Sequence, residues 1–202
     1  MAPETPRNSV PSSRKRFVCV YCGSRDGARP SFLRSARAMG EALARRGLGL
    51  VYGGSRIGLM GAVADGALAA GGEVVGYLPE WLVDKEVAHG ALTELHVVPS
   101  MHLRKAAMES RADAFVALPG GFGTYDELFE ILTWGQVGLH AKPVGALDVD
   151  GYFGPLRALL RHTVDEGFAV PGNESLLLVE PTPDALLDAI LGWTPRPVAP
   201  KW

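Results

Sequence analysis

The sequence predicts an α/β fold: a single doubly wound, Rossmann-like domain with a mainly parallel sheet flanked by helices. Short apolar, β-branched runs alternate with longer helical patterns through the whole chain, which is typical of a parallel sheet with crossover helices. Glycine is in excess, at 25 of 202 residues, or about 12% where about 7% is usual. Many glycines follow predicted strands, where such sheets bind ligands, so we expect most of the excess to shape a ligand site.

Seven strands are predicted from short apolar runs bounded by glycine, proline or charged residues. They cover residues 17–21, 49–52, 73–77, 96–98, 114–118, 144–147 and 176–179. Runs of this length, rich in valine and leucine, fit buried strands better than helices, which need about ten residues or more.

Helices are predicted in the segments between the strands, including residues 30–46, 58–70, 101–111, 125–139 and 181–191. In the first, apolar residues from Phe32 to Leu43 recur at i, i+3 and i+4 spacing, and Gly47 follows as a C-terminal glycine. Ser100 is a good N-cap for the third helix, and a proline opens the last.

Charge and hydropathy exclude several classes of protein. Lys and Arg total 20 against 22 Asp and Glu, a net charge of −2, so we expect no nucleic-acid partner. The apolar runs are strand-length, so we expect no membrane span. Residues 1–15 lack the apolar stretch of a secretory signal and are predicted as a disordered tail, followed by a catalytic domain at 16–195 and a tail at 196–202. A cytoplasmic location is the default expectation.

Cys19 and Cys22 form a C-x-x-C pair in the strand-like run of residues 17–22. Residues three apart on a strand point to opposite faces, which does not suit a redox pair. The five histidines show no metal-binding spacing, so no metal site is predicted. We therefore interpret both cysteines as buried structural thiols.

Residues 119–124, Pro-Gly-Gly-Phe-Gly-Thr, lie between a strand and a helix and have the layout of an anion cradle. Gly120, Gly121 and Gly123 let the backbone approach a phosphate closely, the helix N-terminus adds partial positive charge, and Thr124 adds a hydroxyl. No lysine follows as in a Walker A loop, and no turn shows the dinucleotide fingerprint. A mononucleotide phosphate fits better.

Glu127 has two interpretations. Thr124 and Glu127 have the spacing of a capping box, which is the commoner meaning of this pattern. A carboxylate beside a phosphate loop could instead face the sugar C1′ of a nucleotide, where it would stabilise an oxocarbenium-like transition state or activate water. We expect the helix N-terminus to keep Glu127 ionised.

Arg104 and Lys105 lie in the first turns of the helix that precedes the cradle. An arbitrary Arg-Lys pair is usually a solvated basic patch. Their closeness to the strand that leads into the cradle favours a role at the site.

Two segments together resemble a known family. Residues 100–108, SMHLRKAAM, followed by 118–127, LPGGFGTYDE, are similar to the paired signature of the LOG ("lonely guy") cytokinin-activating enzymes, and P-G-G-x-G-T-x-x-E is matched in full. The resemblance extends over about residues 17–167.

The resemblance implies hydrolysis of the N-glycosidic bond of cytokinin riboside 5′-monophosphates, by a homodimer with sites near the subunit interface. We expect no cofactor. It implies catalysis by Arg104 and Glu127. The substrate contacts that it implies are Glu86, Lys105, Gly121, Phe122, Gly123, Thr124 and Thr133. We add Gly120, and from the other glycine-rich turns Gly23, Ser24 and Gly54.

Two other functions remain as alternatives, and the residues argue against a third. Similar sequences have carried the label lysine decarboxylase, but pyridoxal phosphate needs a Schiff-base lysine, and of five lysines only Lys105 is suitably placed. A nucleosidase acting on AMP or another nucleoside monophosphate is the first alternative. A non-catalytic nucleotide or cofactor carrier is the second, and it would not release ribose 5-phosphate.

Overall fold

The computed structural model describes residues 14–83 and 88–195, in which seven strands form one sheet. The strands are β1 (Phe17–Tyr21), β2 (Gly49–Tyr52), β3 (Val74–Pro79), β4 (Glu94–Val98), β5 (Ala114–Ala117), β6 (Val144–Leu147) and β7 (Leu177–Glu180). The predicted bounds of β1, β2 and β6 are confirmed, and the other four differ by one or two residues.

Six α-helices connect or flank the strands in the described residues. They are α1 (Pro30–Arg45), α2 (Gly58–Ala69), α3 (Met101–Arg111), α4 (Phe122–Gln136), α5 (Gly154–Asp165) and α6 (Pro183–Leu191). Ser100 is confirmed as the N-cap of α3, because its hydroxyl accepts a hydrogen bond from the Leu103 amide at 3.2 Å. The last helix begins two residues later than predicted, because Thr182 caps it by accepting from the Ala185 amide. No described helix has both the length and the apolar character that a membrane crossing requires.

The strand order is β4-β3-β2-β1-β5-β6-β7, and every neighbouring pair is parallel. From β1 the chain moves outward in one direction to β4, then returns through α3 to β5 and moves outward in the other direction. The order therefore reverses between β1 and β5. The connections after these two strands leave on opposite sides, which opens a crevice at their carboxyl ends.

The core forms two layers, one on each face of the sheet. Residues of α1, α2 and α6 cover one face, and residues of α3, α4 and α5 cover the other. Along β1, Val18 and Val20 belong to the first layer, whereas Cys19 and Tyr21 belong to the second. The prediction of buried thiols on opposite faces is confirmed: Cys19 lies in the second layer, and Cys22, just beyond β1, lies in the first.

Part of the glycine excess serves helix packing rather than ligand binding. A Cβ on Gly40 of α1 would lie 2.0 Å from the Val63 carbonyl oxygen of α2, and one on Gly66 of α2 would lie 2.2 Å from the Arg37 carbonyl oxygen. These glycines let the two helices touch backbone to backbone. The expectation that the glycines mainly shape the nucleotide site is therefore too narrow.

The predicted tails at 1–15 and 196–202 fall almost wholly outside the described residues. Of the first, Arg14 and Lys15 are described, and they pair with Asp113 and Glu73 respectively.

Candidate active site

A cavity of about 750 Å³ opens at the crevice between the carboxyl ends of β1 and β5. Its lining comes from the loops after β1, β2 and β5, from the starts of α2 and α4, and from α3. The predicted glycine-rich turns therefore converge on one concave site, as the strand topology requires.

The turns that line this cavity are held together by backbone hydrogen bonds. The Gly23 amide donates to the Pro119 carbonyl at 3.1 Å, and the Leu59 amide of α2 donates to the Gly23 carbonyl at 3.0 Å. Gly58 has φ of +59°, and a Cβ there would lie 2.4 Å from the carbonyl carbon of Ser24. Only glycine lets the start of α2 come this close to the loop after β1.

Helix α4 begins at Phe122, three residues earlier than predicted, with Gly121 as its N-cap and no side-chain cap. Thr124 is thus the third residue of the helix and Glu127 the sixth, so the capping-box interpretation of this pair is wrong. The amides of the first turn, residues 122–124, have no partner within the helix. They end at the cavity, where they can donate to an anion.

Arg104 is buried and faces Glu127. Only 7% of the residue is exposed, so the solvated-patch interpretation is wrong for it. Its Nε donates to the Tyr77 carbonyl at 2.9 Å, and its Nη1 lies 3.5 Å from the Glu127 Oε1. A Cβ on Gly53 would lie 1.9 Å from the Arg104 Nη2, so the guanidinium occupies space that glycine leaves free.

Glu127 is a buried carboxyl with an incomplete set of partners. Its Oε1 lies at ion-pair distance from Arg104 but receives no hydrogen bond from any described residue. Burial raises the pKa of Glu127 from 4.5 to about 7, although the positive charge of Arg104 opposes this. Burial therefore opposes the predicted ionisation of Glu127, and as the sixth helical residue Glu127 lies beyond the turn where the helix dipole would favour the charge.

The structure brings most predicted site residues to the cavity, but not all. Those that line it are Gly23, Ser24, Arg104, Gly120, Gly121, Phe122, Gly123, Thr124 and Glu127. The Phe122 side chain stands at its rim and is 95% exposed. Gly54, Lys105 and Thr133 do not line it, and Glu86 lies outside the described residues.

Three residues that were predicted to contact the substrate do not line the cavity, and the structure gives them other roles. The Lys105 Nζ lies 3.1 Å from both the Asp126 and the Glu130 carboxylates. Thr133 is exposed on α4, with its hydroxyl bonded to the Phe129 carbonyl at 2.7 Å. Gly54 turns the chain with φ of +79°.

Several cavity residues were not predicted from the sequence. Gly53 could have been predicted as a site residue, because it lies in the glycine-rich turn that follows the second predicted strand. The Tyr152 hydroxyl donates to the Gly120 carbonyl and supports the cradle from 32 residues away, which no local pattern indicates. Met60, Met101 and Trp81 also line the cavity, and as isolated apolar residues they carried no signal.

The chain is similar in sequence to known proteins over most of its length. Residues 60–190 match the family model described as "Possible lysine decarboxylase". The chain is 45% identical to the probable cytokinin riboside 5′-monophosphate phosphoribohydrolase LOGL9 of Oryza sativa subsp. japonica, over 92% of this chain and 82% of that protein. It is 42% identical to the cytokinin riboside 5′-monophosphate phosphoribohydrolase LOG7 of Arabidopsis thaliana, over 91% and 85% respectively.

Solved structures share the fold. The molybdenum cofactor binding protein from Rippkaea orientalis matches with a TM-score of 0.68 at 24% identity, over 89% of this chain and 98% of that one. The molybdenum cofactor carrier protein from Chlamydomonas reinhardtii matches with a TM-score of 0.66 at 22% identity, over 89% and 100%.

Proposed function

The chain belongs to the LOG family of cytokinin riboside 5′-monophosphate phosphoribohydrolases, and from that premise we propose that it hydrolyses the N-glycosidic bond of such nucleotides. The products are the free cytokinin base and D-ribose 5-phosphate. Water supplies the hydroxyl group that replaces the base at C1′ and the proton that the departing base nitrogen takes up.

The observation that carries this proposal is the buried pair of Arg104 and Glu127 one helical turn from a phosphate cradle. Thr124 and Glu127 are three residues apart on α4 and share a face, with a rise of about 4.5 Å between them. We therefore expect a 5′-phosphate bound to the amides of residues 122–124 to bring the sugar beside Glu127. Both residues line the same cavity.

The chemistry of the site suits a positive charge that develops at C1′. The ionised Glu127 carboxylate stabilises an oxocarbenium-like transition state or accepts a proton from the attacking water. Arg104, held by the Tyr77 carbonyl, orients the substrate. Since the pKa of Glu127 is about 7, we expect kcat/KM to rise with pH through this value.

A pyridoxal phosphate reaction, suggested by the description of the family model, does not fit this cavity. Schiff-base chemistry requires a lysine at the site, and no lysine among residues 14–83 and 88–195 lines the cavity. Lys105, the best placed in sequence, does not line the cavity, and its amine is paired with the Asp126 and Glu130 carboxylates.

We also propose a homodimer that forms across the exposed face of α4. Phe122 and Phe129 lie on that face, Val137 follows as the C-cap residue, and each is an exposed apolar residue. Thr133 lies among them, two helical turns from the cavity residues of its own subunit. The contact that the resemblance implies for Thr133 would then be made to the nucleotide of the neighbouring subunit.

A cytoplasmic location remains our proposal, supported by the chemistry of the cysteines. Cys19 and Cys22 are free and buried, as is usual for proteins of a reducing compartment.

The proposed activity and the cradle can be tested together. The protein should release base and ribose 5-phosphate in equal amounts from isopentenyladenosine 5′-monophosphate. The corresponding nucleoside, which lacks the phosphate, should react at least about a hundredfold more slowly in kcat/KM, because it loses charge-assisted bonds to the amides of α4. Equal rates with both substrates would contradict phosphate docking at this helix.

A further inference from the structure

Lys105 lies between helices α3 and α4, and it does not line the cavity in which we expect the substrate to bind. It follows Arg104 on α3, and its side chain is only 14% exposed. The Nζ donates to the Asp126 Oδ2 at 3.1 Å and lies 3.1 Å from the Glu130 Oε1. Binding a nucleotide through this amine would require both ion pairs to break.

The two carboxylates that hold Lys105 lie on either side of Glu127 along α4. Asp126 precedes Glu127, and Glu130 follows it by three residues, on the same side of the helix. Within the described chain, α3 packs mainly on the sheet and makes few close backbone contacts with α4. The lysine bridge is therefore a principal link between the helix that carries Arg104 and the helix that carries Glu127.

We propose that Lys105 is a positioning residue, which clamps α3 to α4 and so holds the Arg104 guanidinium at its distance from the Glu127 carboxyl. The proposal rests on the proposed function for its kinetic consequence, but the clamp itself is a property of the protein without substrate. It assigns Lys105 a role other than the substrate contact that the resemblance implies.

The clamp has an electrostatic consequence for Glu127. Asp126 and Glu130 raise the pKa of Glu127, whereas Arg104 and Lys105 lower it. Among the described residues, Cys19, Tyr21 and Cys22 of β1 and its end also interact electrostatically with Glu127, and burial raises their own pKa values. Removal of the Lys105 charge leaves two carboxylates uncompensated beside Glu127, so the pKa of Glu127 should rise further.

Kinetics separate the two roles. In Lys105→Met, the clamp predicts that kcat at pH 7 for isopentenyladenosine 5′-monophosphate falls about tenfold, that KM stays within about twofold, and that the acid limb of the pH profile moves to higher pH. Lys105→Arg keeps the charge and should recover most of the activity. A tenfold or greater rise in KM with unchanged kcat and an unmoved pH profile would overturn the proposal.

The matched control is Lys142→Met. Lys142 also anchors α3, through bonds from its Nζ to the Glu109 carbonyl at 2.8 Å and to the Glu109 carboxylate, but at the end of the helix away from Glu127. It should lose stability in the same way as Lys105→Met while keeping the kcat and the pH profile of the unmodified protein.

Glu130→Gln provides a second variant that leaves Lys105 in place. The clamp predicts a severalfold lower kcat at unchanged KM, because one of the two links is lost. If Lys105 instead binds the nucleotide, its release from Glu130 should lower KM, and that result would overturn the clamp.

Titration of the Glu127 carboxyl by carbon-13 NMR, without substrate, keeps this proposal separate from the proposed function. A higher pKa in Lys105→Met than in the unmodified protein and in Lys142→Met supports the clamp even if no nucleotide is hydrolysed. An unchanged pKa overturns the clamp even if hydrolysis is fully established.

Discussion

At the scale of single residues, Glu127 carries a charge that the fold makes costly. The carboxyl is buried, and its pKa is raised from 4.5 to about 7, while Arg104 is the one cation of residues 14–83 and 88–195 at ion-pair distance from it. A carboxyl with a raised pKa leaves stability unaffected below pH 4.5, where it is protonated in both the folded and the unfolded states. Stability then falls as pH rises toward 7, and the whole penalty, about 3 kcal/mol, is present above that pH.

Glu127→Gln should therefore separate activity from stability. We expect most turnover to be lost, stability to stay within about 1 kcal/mol at pH 4, and the variant to be more stable than the unmodified protein by about 1–3 kcal/mol at pH 8. Urea denaturation at the two pH values measures this. A stability difference that does not change with pH would show that Glu127 does not titrate near 7.

Gly53 should be sensitive to substitution because the Arg104 guanidinium occupies the space beside it. In Gly53→Ala, the new methyl group competes with the Arg104 Nη2, which lies 1.9 Å from the Cβ position, and we expect kcat/KM to fall at least tenfold. Gly154→Ala is the control, since nothing lies within 4 Å of the corresponding Cβ. Near-normal kcat/KM in Gly53→Ala would show that Arg104 can move without cost.

The candidate residues were predictable where a motif holds them, but their environments were not. Arg104, Glu127 and the cradle glycines follow from two segments that lie close together in the sequence. The burial of Glu127, the direction of the Lys105 side chain and the Tyr152 bond to the cradle depend on packing between distant segments. No pattern within one segment reports such packing.

At the scale of elements, the contact between α1 and α2 depends on small residues. Gly40→Ala would gain roughly 1 kcal/mol from helix propensity if space allowed, but its Cβ would overlap the Val63 carbonyl. We therefore expect a net loss of about 2 kcal/mol in the free energy of unfolding. Chemical denaturation measures this against Gly154→Ala, and a stabilised Gly40→Ala would contradict backbone contact between the helices.

The predicted elements are accurate where the local sequence marks their ends. Helix α3 matches because Ser100 caps it, and β1 is a continuous apolar run bounded by charged and glycine residues. The start of α4 was predicted three residues late, because Phe122 and Gly123 read as loop. A glycine N-cap without a side-chain bond leaves no signal in the sequence.

At the scale of the whole molecule, the site follows from strand order. A parallel α/β sheet was predictable from alternating patterns, but the reversal between β1 and β5 was not, because strand pairing joins residues about a hundred positions apart. That reversal brings the turns after β1 and β5 together and opens the cavity between them.

The proposed dimer is a prediction at this scale. Sedimentation should give about twice the chain mass of 21.5 kDa, and Phe129→Glu should shift the protein toward monomer by placing a charge on the apolar face of α4. Leu159→Glu on α5, another exposed position, is the control. A monomeric unmodified protein would refute the dimer.

The most direct test of the account is a substrate panel with ribose 5-phosphate detection. We predict that isopentenyladenosine 5′-monophosphate is hydrolysed with a higher kcat/KM than AMP, and that Glu127→Gln and Arg104→Ala abolish both reactions while remaining folded. A preference for AMP would identify a general nucleoside monophosphate nucleosidase. Failure to release ribose 5-phosphate from any nucleoside monophosphate would contradict the account as a whole.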